Sequence, residues 1–201
     1  MNKTNLSHYP RVIAVSKTFK IDKILPLIQH GHIHFGENKV QEALAKWGEI
    51  KNKRKDIKLH MIGRLQSNKV KQAVGIFDYI HSVDSIKLAL KISEEQKKQK
   101  KNLKIFLQVN VGEETQKAGL NLNQLDYLVL ECRKINLDIL GLMCIPPINQ
   151  PVDRYFSLIK NANDKYNFKD LSLGMSNDYI EALNYKSTYI RVGTKIFGNR
   201  S

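Results

Sequence analysis

Eight short runs rich in Val, Ile and Leu alternate along the chain with longer segments whose apolar residues recur at intervals of three and four. The short runs have the length and β-branched content of buried strands, and the three-and-four spacing marks one face of a helix. Strands alternating with helices in this way lie parallel, because a parallel neighbour is reached only through a crossover long enough to hold a helix. The strand candidates are VIAVS (12–16), HIHFG (32–36), KLHMIG (58–63), YIHSV (79–83), KIFLQVNV (104–111), DILGLM (138–143), LSLGM (171–175) and TYIRVG (188–193). Segments between them, such as NKVQEALAKWGEI, SIKLALKISEEQKK and VDRYFSLIKNANDKY, read as helices. Asp22, Asn38, Ser67, Ser85, Asn121 and Asn177 are start signals near their first turns.

Eight such units predict an α/β fold, a single TIM-type (β/α)8 barrel in one domain over residues 1–201. An open doubly wound sheet uses the same unit and is the structural alternative. The strand count favours the barrel, and the glycine-rich phosphate loops typical of open sheets are absent: no GxGxxG follows the first strand and no GxxxxGK occurs. Barrels of this type usually need about 250 residues, so the connections here are expected to be short.

The charge of the chain bears on its partners. With 33 Lys and Arg against 19 Asp and Glu, the chain carries a formal net charge of +14, which by itself suggests a polyanionic partner. Much of the excess lies in KNKRKDIK (51–58) and EEQKKQKKNLK (94–104), where solvated helix ends and loops are expected. Neither run interleaves aromatic residues as a single-strand-binding surface does. Weak, non-specific polyanion binding is expected, and no specific nucleic-acid recognition. No apolar stretch reaches the roughly 18 residues of a membrane span, and the first residues do not form a signal peptide, so a cytoplasmic location off the membrane is expected. Cys132 and Cys144 are too few for a disulfide framework and lack metal-ligand spacing; they read as reduced thiols, with no metal site.

In barrels of this type the chemistry sits where strands end. Polar residues there are Lys17 after the first strand candidate, Glu37 and Asn38 after the second, Arg64 and Gln66 after the third, and Ser82 and Asp84 at the fourth. Asn110 ends the fifth, Ser176 and Asn177 follow the seventh, and Arg191 and Thr194 lie at the eighth. Lys17 follows a run in which five of six residues are apolar or small, and an ammonium is costly to desolvate. It is either a surface lysine whose stem reaches out to water or an amine activated by burial for bonding to an aldehyde. LSLGMSND and YIRVGTKIFG place Ser176, Gly193 and Thr194 after the last two strands, where barrels often bind phosphate, although small residues there also serve as turns and caps.

At AVSKTF, HFGENKVQEAL, LHMIGRLQSNK, GLMCIPP, LSLGMSNDYIEAL and IRVGTKIFG the chain closely resembles the pyridoxal phosphate homeostasis proteins, with the motifs in order over nearly its whole length. The resemblance implies a fold-type III barrel similar to the N-terminal domain of alanine racemase, with pyridoxal 5'-phosphate (PLP) as cofactor and no established turnover. It implies Lys17 as the lysine that forms the internal aldimine, and Asn38 in the cofactor-facing second loop. Ser176, Gly193 and Thr194 match phosphate-binding positions, and Arg191 the arginine that meets the pyridine nitrogen. His60 and Met61 match residues near the ring. Met143 and Met175 are expected in the barrel core.

Because a guanidinium donates hydrogen bonds but does not readily give up a proton, an arginine at the pyridine nitrogen implies an unprotonated ring and a weak electron sink. A racemase of this fold also takes a second acid/base from another domain. Here Arg200 and Ser201 follow soon after the eighth strand, so a complete racemase mechanism is not expected. Relatives carry a helix of about five turns before the lysine strand. Only some ten residues precede Arg11, so that helix is expected to be missing, with self-association through the uncovered face as its consequence. A monomer or weak homo-oligomer is therefore expected. Arg64 has no assigned role.

Three functions compete. The chain is a PLP carrier or buffer that passes the cofactor to apo PLP enzymes, a small racemase-like PLP enzyme acting on amino acids, or a basic barrel binding nucleic acid or sugar phosphates without PLP.

Overall fold

The structure is a computed structural model and describes residues 9–112, 114 and 118–199. The expected loss of a leading helix concerns residues 1–8, and the chain end at Arg200 and Ser201 was the other such expectation; both lie outside the described residues.

Eight strands pair in parallel in chain order: β1 (Arg11–Val15), β2 (His34–Glu37), β3 (Lys58–Met61), β4 (Tyr79–Val83), β5 (Lys104–Val109), β6 (Ile139–Cys144), β7 (Asp170–Met175) and β8 (Tyr189–Val192). The open-sheet alternative fails at the seam. β1 pairs with β8 through Arg11 with Tyr189, Val12 with Ile190, Ile13 with Arg191 and Ala14 with Val192, closing the barrel.

The crossovers carry α1 (Ile21–Gln29), α2 (Val40–Lys53), α3 (Val70–Ile76), α4 (Ile86–Gln99), α5 (Leu125–Lys134), α6 (Asp153–Lys165) and α7 (Tyr179–Asn184), and α8 (Thr194–Phe197) follows β8. Sequence periodicity did not give α8, which is a single turn. No helix of the described residues is long and apolar enough to cross a membrane.

Alternation along each strand sends neighbouring side chains to opposite faces. Ala14, Phe35, Leu59, Ile80, Leu107, Leu142 and Leu171 belong to one buried cluster with the helices. Ile13, Phe106, Met143 and Tyr189 form a separate buried cluster that fills the barrel.

Helices present the spacing their sequences announced. α2 buries Val40, Ala43 and Trp47, and α5 buries Leu125, Leu128, Val129 and Cys132. Most of the expected start signals do not cap. Only Ser85 accepts a first-turn N–H, from Leu88 at 3.4 Å. α1, α2 and α7 begin after Lys20, Lys39 and Asp178 without a side-chain cap bond, and Ser67 opens one short 3-10 turn and Asn121 precedes another, again without one. Magnitudes account for this in the longer helices: a cap contributes about 1 kcal/mol, whereas each large apolar side chain fully buried contributes about 1.5–3 kcal/mol, and α1 buries Ile24 and Ile28, α2 Val40 and Trp47, and α5 Leu125, Leu128 and Val129.

The third strand stops at Met61, short of the expected residue 63. There the chain turns against the loop after β2. A Cβ on Gly63 would fall 2.5 Å from the Asn38 carbonyl oxygen and 2.8 Å from its Cα, so only glycine lets the two loops touch.

Candidate functional site

The carboxyl ends of the strands surround a cavity of about 650 Å³. Lys17 reaches it from the end of β1, Asn38 from β2, Ser176 from β7, and Arg191, Gly193 and Thr194 from β8, so six of the eight residues expected from sequence share one site.

Lys17 stands on an anchored segment. Alternation turns its neighbour Ser16 outward, where the Ser16 hydroxyl donates to Oε1 of the fully buried Glu37 at 2.7 Å. The same oxygen accepts from Lys46 Nζ and Trp47 Nε1, both at 2.9 Å. Lys46 also donates to the Ser16 carbonyl (2.7 Å) and to Glu42 Oε1 (2.9 Å), which ties α2 to the end of β1. Thr18 holds a left-handed conformation (φ 69°), and Glu42 accepts its N–H. Burial pushes the Glu42 carboxyl up, but Lys46 and the Thr18 N–H outweigh it and hold it below the ordinary carboxylate value. These contacts fix where the Lys17 backbone leaves the strand.

Arg191 is the buried charge of the site, 4% exposed. Its Nη1 donates to the Ser172 carbonyl and hydroxyl oxygens, both at 2.6 Å, and its Nη2 to the Cys144 carbonyl at 2.9 Å. Burial lowers its pKa, countered by the Cys144 thiol and Asp178. Its hydrogen bonds thus run to neutral oxygens, while its position on the cavity wall leaves the cation open to an electron-rich ligand atom. This fits the pyridine nitrogen of PLP, which accepts a hydrogen bond when unprotonated.

Ser176 Oγ accepts the Gly193 N–H at 3.2 Å, joining the loops after β7 and β8. Asp178 also lines the cavity, with its carboxylate turned back to the Met175 N–H at 2.5 Å. A hydroxyl, backbone N–H groups and Thr194 at a loop junction are donors suited to a phosphate.

His60 and Met61 are not brought to this cavity. His60 is fully buried inside the barrel, its ring bonded to His34 and His81. Ile62, two residues on, takes the cavity layer in its place. Met61 is buried and lines a neighbouring groove, which it shares with Arg64 and Asn38. Met143 lies in the barrel core as expected, but Met175 lines the cavity.

Two contributors escaped the sequence reading. The loop after β6 forms a wall from Ile145 to Val152, stiffened by Pro146, Pro147 and Pro151, and the paired prolines at a strand's carboxyl end were its signal. Ser172, the acceptor for Arg191, was signalled only by a hydroxyl at an inward position of an otherwise apolar strand.

The alanine racemase N-terminal domain family matches residues 2–201. A pyridoxal phosphate homeostasis protein of Synechocystis is 39% identical, with 94% of this chain and 91% of that protein covered. One from Vibrio cholerae is 38% identical, with 94% and 85% covered. The chain belongs to the pyridoxal phosphate homeostasis family. Among solved structures similar to this family member is PipY of Synechococcus elongatus with PLP bound, at a TM-score of 0.87 and 34% identity, covering 94% of this chain and 92% of that one. Alanine racemase of Clostridium difficile, at 13% identity and a TM-score of 0.76, shares the homeostasis family's barrel fold over 54% of its own length.

Proposed function

We propose that this chain binds PLP in the cavity at the strand ends and acts in intracellular PLP homeostasis, holding the cofactor reversibly and releasing it to apo enzymes. The observation that carries this reading is the convergence of Lys17, Arg191 and the Ser176–Gly193–Thr194 junction on one cavity. Bound PLP supplies an aldehyde that an amine can hold covalently. Lys17 is the amine. Arg191 donates to the ring nitrogen, Ser176, Gly193 and Thr194 hold the phosphate, and Asn38 bounds the site from the second loop. His60 is given no direct contact, and Met61 borders the site only through the neighbouring groove.

The barrel, residues 1–201, acts as one domain in the cytoplasm and without turnover of its own. Supporting this, Arg191 orients the ring without handing it a proton, so the strong electron sink of an amino-acid enzyme is not provided. Nor does either cysteine offer an opposite-face base. Burial pushes the Cys132 and Cys144 thiols up to about 12.

A visible spectrum of the protein mixed with PLP is the test. An absorption band that borohydride bleaches, with a matching mass adduct on Lys17, is expected in the native chain and is lost in Lys17→Ala. No band in the native chain overturns the reading. Sustained racemisation of any amino acid, followed by chiral analysis, overturns the non-enzymatic part.

A further inference from the structure

Beneath the cavity, three histidines form a column through the barrel. His34 Nδ1 lies 2.9 Å from His60 Nε2, His60 Nδ1 2.9 Å from His81 Nε2, and His81 Nδ1 2.9 Å from Ser172 Oγ. Arg191 Nη1 meets the same Ser172 hydroxyl at 2.6 Å. His60, His81 and Ser172 are completely buried, and His34 is half-buried at the far end. The ring nitrogens face one another in pairs, so they do not converge on a point where a metal ion could sit.

Elementary hydrogen-bond chemistry fixes the direction of this column. A guanidinium has donors only, so the Ser172 oxygen accepts from Arg191. Its single proton then needs an acceptor, and His81 Nδ1 is the group in reach. Were His81 to donate instead, the buried Ser172 proton would lose that acceptor. His81 therefore carries its proton on Nε2 and donates to His60 Nδ1, and His60 likewise donates from Nε2 to His34 Nδ1. The rings are neutral: burial, then neighbouring charge, lowers the pKa of His60 and His81 well below the usual value, with Arg191 the charge acting on His81. The groups facing the outer end are His32, Arg11 and Lys58, which disfavour a charge on His34, and Asp78, which favours one. Arg191 has no lone pair, so the column cannot pass protons to the cavity. What it transmits is orientation.

We infer that His81, supported by His60, is a positioning residue for Arg191, holding the Ser172 hydroxyl with its lone pairs toward the guanidinium and so fixing the donors that Arg191 presents to the cavity. This rests on the reading that Arg191 faces bound PLP. It also gives His60 a place in the site at second remove, behind the contact layer.

The test has a ligand-free arm and a loaded arm. In PLP-free protein at pH 7, imidazole nitrogen-15 spectra should show His34, His60 and His81 neutral with the proton on Nε2, and Ser172→Ala should relax that preference at His81. A protonated Nδ1 on His81 in the native chain overturns the inference. In the loaded arm, His81→Leu removes the acceptor, whereas His81→Asn keeps an oxygen near the Nδ1 position. His81→Leu should weaken PLP binding about tenfold, the scale of one buried hydrogen bond in a charged network, and shift the pH titration of the visible band. His81→Asn should restore both toward the native values. Titrations of folded His81→Leu and His81→Asn that superimpose on the native curve overturn it. If His81→Leu does not fold, His81→Asn and the native nitrogen-15 spectra still decide. If no variant and not even the native chain develops the band, the PLP reading fails, while the ligand-free arm still reports on the column.

Discussion

A charged or polar side chain inside a barrel survives only with partners, and the histidine column shows how far that requirement extends from the cavity. His34, at its outer end, is pushed down to about 4, first by burial and then by His32, Arg11 and Lys58. Between about pH 6.5 and 4 the unfolded chain therefore binds a proton at this position that the folded chain refuses. The stability His34 contributes is complete above 6.5 and is lost as pH falls toward 4. In urea titrations across that window, His34→Gln should lose less stability than the native protein; equal slopes would remove His34 from the account. Residue by residue, the cavity lining was legible where chemistry coincided with a strand end, as at Lys17, Ser176 and Arg191. His60 was misplaced for a physical reason. Alternation says that a side chain points inward but not how deep, and inward positions step along a strand by roughly 7 Å, so Ile62 occupies the cavity layer and His60 the one beneath.

Strands were easier to read than the ends of helices. Apolar period reflects burial, which contributes most to the stability of a fold like this one, whereas side-chain caps contribute less and are replaceable by 3-10 turns and backbone contacts; of the six start residues only Ser85 makes a cap bond. Loop contacts were the least legible, because they depend on two segments meeting. Gly63 against Asn38 is the clearest case, with a Cβ at 2.5 Å from a backbone oxygen that has no flexible end to move aside. Gly63→Ala should separate the loops after β2 and β3, destabilise the protein by about 1–3 kcal/mol in denaturant unfolding, and weaken PLP binding through displaced Asn38. Native affinity together with native stability in this variant would show that the close approach is dispensable.

Closure joins the two ends of the sequence: β1 pairs with β8, and Lys17 faces the same cavity as Ser176, Arg191 and Thr194. A ligand held by those residues bridges the seam, so binding favours the closed barrel over an unfolded chain whose lysines take up the aldehyde only singly and weakly. By mass action, PLP at about a hundred times its dissociation constant should add about 2.7 kcal/mol to unfolding. The high positive charge of the chain offers a second way for an anion to stabilise it, through non-specific neutralisation of a formal +14. The two are separable. Screening by salt weakens non-specific attraction between exposed charges, but it does not replace a partner for the buried Arg191 or a bond to Lys17. The stabilisation by PLP is therefore expected to persist at high salt in the native chain and to shrink in Lys17→Ala, whereas inorganic phosphate at the same concentration should give only the salt-sensitive part. Thermal unfolding with each anion, at low and at high salt, measures this directly. Equal stabilisation of native and Lys17→Ala protein by PLP would make the barrel a general anion binder and would remove Lys17 from its function.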